Sequence, residues 1–123
     1  MKVIKTTNAP GAVGPYSQAI EIDNLVFASG QIALDPATGE MAEGIEAQAH
    51  QALKNAQAVI NASGAKWENV IKTTVFITNI DDFVKVNEIY ATYFTQPYPA
   101  RSCVEVSKLP KGALIEIEVI AKK

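Results

Sequence analysis

Residues 97–118 hold the groups of this chain best suited to chemistry. Arg101, Cys103, Glu105, Glu116 and Glu118 lie within two runs of alternating apolar and polar residues. A guanidinium offers a planar fork of donors that suits a substrate carboxylate. A carboxylate can hold and deprotonate a water, or hand a proton to a leaving group. The alternation has the period of a strand, and Pro110-Lys111-Gly112 between the runs is turn chemistry. The spacing therefore predicts a closing β-hairpin. Pairing the apolar faces sets its register, Val106 against Ile115 and Val104 against Ile117, because direct cross-strand neighbours share a face. Arg101, Cys103, Glu105, Glu116 and Glu118 then fall together on the other face. Glu105 would lie opposite Glu116, and like charges that close raise one carboxyl's pKa where water is excluded.

Two considerations weigh against reading a site from spacing alone. An antiparallel sheet commonly wets one face, and charges on a wet face need no function. Arg101 also lies about 13 Å from Glu105 at strand rise. A small substrate that touches both Arg101 and Glu116 therefore calls for long side-chain reach or for a pocket at or near a subunit boundary.

The rest of the chain supplies a scaffold. Lys2 to Thr6 reads as a short edge strand. Asn8 to Pro15 is a Pro- and Gly-containing loop that delivers Tyr16 and Ser17 to the next strand. Ala19–Ile22 and Leu25–Ser29 flank Asp23-Asn24, a hairpin turn of residues that tolerate left-handed φ. Gly30-Gln31 and Ile32–Leu34 follow, then a turn over Asp35–Gly39. Glu46 to Asn61 is the clearest helix: Ile45, Ala49, Ala52, Leu53, Ala56, Val59 and Ile60 form one apolar stripe, with Gly64 as the stop. Val70 to Thr78 is β-branched and reads as a strand. Asp81 is the expected N-cap of a second helix, Asp82 to Phe94, with Phe83, Val86, Tyr90, Tyr93 and Phe94 as its stripe. Pro97 and Pro99 bar its continuation. The expected class is α+β: a mixed sheet with both helices on the Val104/Ile117 face. The opposite face lacks cover within one chain, so keeping it dry requires a second copy.

Bulk properties narrow the possibilities. A length of 123 residues suits one domain, residues 1–123. A net charge of −2 without a basic block disfavours nucleic acid as a partner. No apolar run approaches membrane-spanning length, and the first residues lack a signal peptide's apolar core. The single cysteine suits a reducing cytoplasm. His50 and Cys103 are the only residues of their types, so neither a metal site nor a Cys-His nucleophile is expected. No phosphate loop or dinucleotide fingerprint is present.

Pro99 to Ile117 resembles the signature of the Rid/YjgF family. Gly14-Pro15-Tyr16-Ser17-Gln18-Ala19 and Ser29-Gly30-Gln31-Ile32 match that family's other marked stretches, and the likeness runs along essentially the whole chain. The resemblance implies a chorismate-mutase-like fold assembled as a homotrimeric barrel, with pockets between subunits. It also implies cofactor-independent hydrolysis of enamine and imine acids to 2-keto acids and ammonia. Carried over residue by residue, Arg101 clamps the substrate carboxylate, and Glu116 positions the attacking water and shuttles the proton. Tyr16 and Ser29 line the pocket. Main-chain groups of Gly30 and Cys103 add hydrogen bonds. Phe83 and Asn87 could reach such a cleft, but core packing and helix surface are their simpler roles. The competing expectations are a carboxylate-sensing trimer without turnover and an RNA-cleaving translation inhibitor. Glu116 separates the first of these from the enzyme, since binding alone needs no water-positioning base.

Overall fold

A computed structural model describes residues 1–123. Eight main elements follow one another: β1 (Lys2–Ile4), β2 (Ala19–Ile22), β3 (Leu25–Ala28), α1 (Ile45–Ser63), β4 (Val70–Ile77), α2 (Phe83–Ala91), β5 (Ala100–Glu105) and β6 (Ile115–Lys122). The six strands form one mixed sheet in the order β1-β2-β3-β6-β4-β5. The α+β expectation therefore holds at the level of elements, while the pairing of the last two strands does not.

Local signals act as their residues dictate. Asp23 and Asn24 both take positive φ, 47° and 66°, and close the β2–β3 hairpin. Two positive φ values in succession match the twist of the flanking strands. Gly64 ends α1 in the left-handed conformation at φ 87°. Ala49, Ala52, Leu53, Ala56, Val59 and Ile60 of α1 are all buried, and their alanines let the helix lie close on the sheet. The second helix is shorter than its periodicity implies. Asn79, not Asp81, caps the turn before it, its Oδ1 accepting the Asp81 N–H at 3.0 Å. Thr92 closes it by donating Oγ1–H to the Ile89 carbonyl at 2.6 Å. Residues 32–34 form no strand; only isolated bridges, Gln31 to Ile117 and Leu34 to Met41, flank them.

The predicted closing hairpin is absent. β5 pairs in parallel with β4, and β6 pairs antiparallel with β4 and with β3. β4 thus lies between the two strands that the Pro110–Gly112 turn connects. Lys111 and Gly112 take φ of 57° and 70° there, so the turn chemistry is real, but the segment carries the chain past the end of β4.

This changes which residues share a face. Val75 pairs with Cys103 on one side and with Ile117 on the other; Thr73 pairs with Arg101 and Val119; Ile77 pairs with Glu105 and Ile115. Paired residues point the same way. Arg101, Cys103 and Glu105 therefore lie on the helix-covered face, with Ile115, Ile117 and Val119. Glu116 and Glu118 lie on the open face with Phe76, Thr74, Val104 and Ser102. The expectation of one face shared by all five polar groups is overturned. So is the placing of Val104 in the core: it is exposed. Period 2 assigned each strand's two faces correctly, but the false hairpin joined the wrong pair of faces.

The core fills the space between α1, α2 and the covered face, and Leu53 at its centre is 1% exposed. Replacing it leaves a cavity that the close-packed sheet cannot collapse. Leu53→Ala is expected to lower unfolding free energy by about 2–5 kcal/mol, read by urea denaturation at constant m-value.

Candidate functional site

Arg101 stands on the covered face near the sheet's edge, where α2 passes over it. Its guanidinium carbon lies 4.8 Å from the Tyr90 ring centroid and 5.5 Å from that of Phe83. Its Nη1 donates to Asn87 Oδ1 at 2.7 Å. The Tyr90 hydroxyl is itself engaged by Thr73 Oγ1 at 2.7 Å, beneath the guanidinium. Aromatic faces attract the cation, and the amide fixes its plane. No carboxylate pairs with it; the only ion pair in the chain joins Lys123 to Glu21. Arg101 is thus a half-buried, oriented cation with no anion of its own. Phe83, Asn87 and Tyr90 form the cradle of Arg101, a contact that the sequence reading passed over in favour of core packing and helix surface. Their spacing (83, 87, 90) places them on one side of a helix, but their target follows only from the parallel β4–β5 pairing.

Cys103 lies beside Arg101 on β5 and packs against the core. Burial pushes its thiol pKa up, against a smaller opposing pull from Arg101. A thiol held protonated is a poor nucleophile. β5 is the outermost strand, so the side of its backbone away from β4 has no sheet partner.

Glu116 belongs to a different place. It lines an open cleft of about 610 Å³ with Tyr16, Ser29, Gly30, Lys111 and Glu118. The cleft's inner wall is pinned by two hydrogen bonds: Gln31 N–H to the Ile117 carbonyl at 2.8 Å, and Ile117 N–H to the Gln31 carbonyl at 3.0 Å. They hold Gly30 directly against Glu116. A Cβ at residue 30 would overlap the Glu116 carboxylate and come within 2.8 Å of its Cδ. A larger residue at 30 would have to push the Glu116 carboxylate out of this position, because the carboxyl lies over the Gly30 backbone. Ser29 Oγ donates to the Ser17 carbonyl at 2.6 Å, and Ser29 N–H donates to the Gln18 carbonyl at 2.9 Å. Tyr16 is half exposed at the cleft mouth.

The Glu116 carboxyl is raised above its ordinary value, first by burial and then by the charge of Glu118 two residues along the same face. The expected cause, Glu105, is not involved. Its Oε1 accepts the Ile80 N–H at 2.9 Å and ties β5 to the start of α2. A larger hollow of about 980 Å³ adjoins the N-terminal loop, but no carboxylate or arginine lines it. The cleft with Glu116 is the better chemical candidate.

The structure therefore gathers Tyr16, Ser29, Gly30 and Glu116, and separately gathers Arg101 and Cys103. Within one chain the two sets lie on opposite faces of the same sheet.

Comparison with known proteins is consistent along the whole chain. Residues 6–123 match the family model described as Endoribonuclease L-PSP. The 2-iminobutanoate/2-iminopropanoate deaminase of Salmonella typhimurium is 50% identical over 123 residues, covering 98% of this chain and 96% of that protein. The mouse protein of the same name is 49% identical over 121 residues, covering 98% of this chain and 90% of its own length. The crystal structure of RidA from an Antarctic Psychrobacter superposes with a TM-score of 0.98 at 43% identity, with both chains covered in full. That of Escherichia coli TdcF with bound serine gives 0.96 at 44% identity, covering 100% of this chain and 99% of the other. With its sequence matched from residue 6 to the end and its fold reproduced along its whole length, the chain belongs to the Endoribonuclease L-PSP family, also known as Rid/YjgF.

Proposed function

We propose that this chain is a deaminase of reactive enamine and imine acids, 2-iminopropanoate and 2-iminobutanoate among them, and that it works as a homotrimer with its pockets between subunits. The observation that carries the enzymatic reading is Glu116, a half-buried carboxyl with a raised pKa, laid over Gly30 in a cleft. A carboxylate sensor needs Arg101 but has no use for such a group. Relatives about 50% identical along nearly their whole length carry the deaminase name.

The chemistry follows from the two sets of residues. Arg101, held by Asn87 and the two aromatic rings, grips the substrate carboxylate and fixes the imine carbon. Glu116 takes a proton from a water as that water adds to the C=N carbon, giving a carbinolamine. It returns that proton to nitrogen; the carbinolamine's hydroxyl proton then passes through the same carboxylate to nitrogen as the C=O forms and the C–N bond breaks, and ammonia and a 2-keto acid leave. A carboxyl with its pKa moved toward neutrality suits both transfers. Tyr16 and Ser29 order the water and the substrate edge. Backbone groups of Gly30 and Cys103 add hydrogen bonds. No metal or cofactor enters these steps.

The trimer reading rests on the sheet. Arg101 and Glu116 of one chain face opposite ways, so one small substrate reaches both only where two chains meet. The open face supports this: Val3, Ile22, Phe27 and Val104 are exposed on it, and no helix covers them. One domain spanning residues 1–123 and a reducing cytoplasm complete the reading. No helix is long and apolar enough to cross a membrane. The acidic pair Glu116 and Glu118 makes the cleft a poor place for a nucleic acid, so no RNA partner is proposed.

Three measurements test these assignments. In an assay coupled to a PLP-dependent serine or threonine dehydratase, Arg101→Ala should lose about 2–5 kcal/mol of kcat/KM, roughly 30- to 5,000-fold. Glu116→Gln should lose roughly 100- to 10,000-fold in kcat while keeping product affinity; normal ammonia release by that variant would remove Glu116 from the mechanism. Mixing the two inactive variants and refolding them together should restore about a quarter of wild-type activity, since each shared pocket then has even odds for each intact half. A mixture that stays inactive would confine the site to one chain.

Stability should respond to pH as well. The raised carboxyl of Glu116 means that the native state binds this proton more tightly than the unfolded chain does. Its contribution is largest at acid pH and is lost as pH rises from the unfolded value, about 4.3, through the higher folded value. Glu116→Gln should therefore be the more stable protein above that window, with a flatter unfolding profile across it.

A further inference from the structure

Two buried amides on α1 are used by none of the chemistry above. Gln48 is 4% exposed and Asn55 is 1% exposed. They stand seven residues apart, two helical turns, and so on one side of the helix. An amide in a dry core must have its donors and acceptor met, and each of these two reaches backbone in a distant part of the chain. Asn55 Nδ2 donates to the carbonyls of Ile32 at 3.0 Å and Leu34 at 2.8 Å, while its Oδ1 accepts from Gln51 Nε2 at 2.9 Å. Gln48 Oε1 accepts the Leu114 N–H at 2.8 Å, and its Nε2 donates to the Ala42 carbonyl at 3.0 Å.

The partners are telling. Ile32 and Leu34 line the same cleft as Glu116, in the irregular segment just after Ser29 and Gly30. Leu114 immediately precedes β6, two residues before Glu116. Helix α1 thus grips both segments whose close approach makes the site, one by each amide. The Glu116 segment is itself laddered to β4, Glu116 facing Phe76, but only a single bridge, Gln31 to Ile117, joins it to the Gly30 segment. The Gly30–Glu116 approach is close, and a Cβ at residue 30 would displace the carboxylate end of Glu116.

We infer that Gln48 and Asn55 are positioning residues for the reaction: through Leu114 and through Ile32 and Leu34 they set where the Glu116 carboxyl stands relative to Gly30. The inference rests on the reading of Glu116 as the acid-base group. The carboxylate clamp is left in place by changes at either amide, because Arg101 is held by α2 and is touched by neither.

Conservative pairs of variants test it. Gln48→Met removes the acceptor for Leu114 and keeps the bulk; Gln48→Glu, assayed at a pH where that buried carboxyl is protonated, keeps the acceptor and a donor toward the Ala42 carbonyl. A displacement of order 1 Å can cost about 100-fold. Gln48→Met should therefore lower kcat about 10- to 100-fold with KM and pyruvate affinity within about twofold, while Gln48→Glu should stay within about threefold of wild type. Asn55→Ala should resemble Gln48→Met. Gln51→Ala releases only the outer bond to Asn55, leaves the core intact, and should lower kcat in the same direction by a smaller factor. The kcat–pH profile should also move in Gln48→Met, because the carboxyl then sits in different burial. Measured well below the melting temperature, a merely structural role predicts a lower melting temperature with kcat within about twofold and an unmoved pH profile in Gln48→Met and Gln51→Ala; that outcome overturns the inference. Wild-type protein that accelerates no imine hydrolysis would instead refute the deaminase reading itself.

Discussion

Side chains on paired strands share a face, and β4 applies that rule to both of its neighbours at once. Cys103 on one side and Ile117 on the other are bound to the same residue, Val75. Arg101 must then point with Ile117 toward the helices, and Glu116 must point away. A one-residue slip on either side of β4 would turn out three core isoleucine or valine side chains of β6, or bury Ser102 and Val104 in place of Arg101 and Cys103. The hydrophobic core therefore fixes the separation of the cation from the carboxyl. The two most reactive groups cannot neutralise each other within one chain, and each keeps its own environment.

Those environments are built by opposite means. Arg101 is surrounded by groups that favour its charge: two ring faces and an amide oxygen, with no carboxylate to satisfy it. Glu116 is surrounded by what disfavours its charge: low-dielectric walls, a glycine that lets it lie flat against backbone, and Glu118 on the same face. On the proposed reading one group receives an anion and the other exchanges a proton. Assigning different roles to the two follows from this contrast and needs no appeal to the reaction.

Much of this was legible in the sequence, and the division is physical. Features set by near neighbours read correctly: the Asp23-Asn24 turn, the apolar stripe of α1, the Gly64 stop and the two faces of each strand. Tyr16, Ser29, Gly30 and Glu116 do come together. What failed was the joining of elements across distance. Val104 and Ile117 each sit on an apolar-looking run, and with a Pro-Gly turn between the runs a hairpin is the locally cheapest guess. Only the insertion of β4, which depends on covering Ile115, Ile117 and Val119 with α1, rules it out. The Arg101 cradle was missed for the same reason: Phe83, Asn87 and Tyr90 show helical spacing, but nothing local says that β5 runs beneath them. Nothing local marks Gln48 and Asn55, because the backbone groups they hold lie 66 and 21–23 residues away.

The outermost position of β5 carries one more consequence. Its outer rim of N–H and C=O groups is a template on which any extended chain can align, and Val104 adds an apolar surface beside it. Within one chain this template is uncovered. The strand is only six residues long, with Pro97 and Pro99 before it and Glu105 and Lys108 at its far end. Prolines cannot extend a ladder, and charges repel indiscriminate stacking. The punctuation around β5 thus reads as protection against fibrous aggregation.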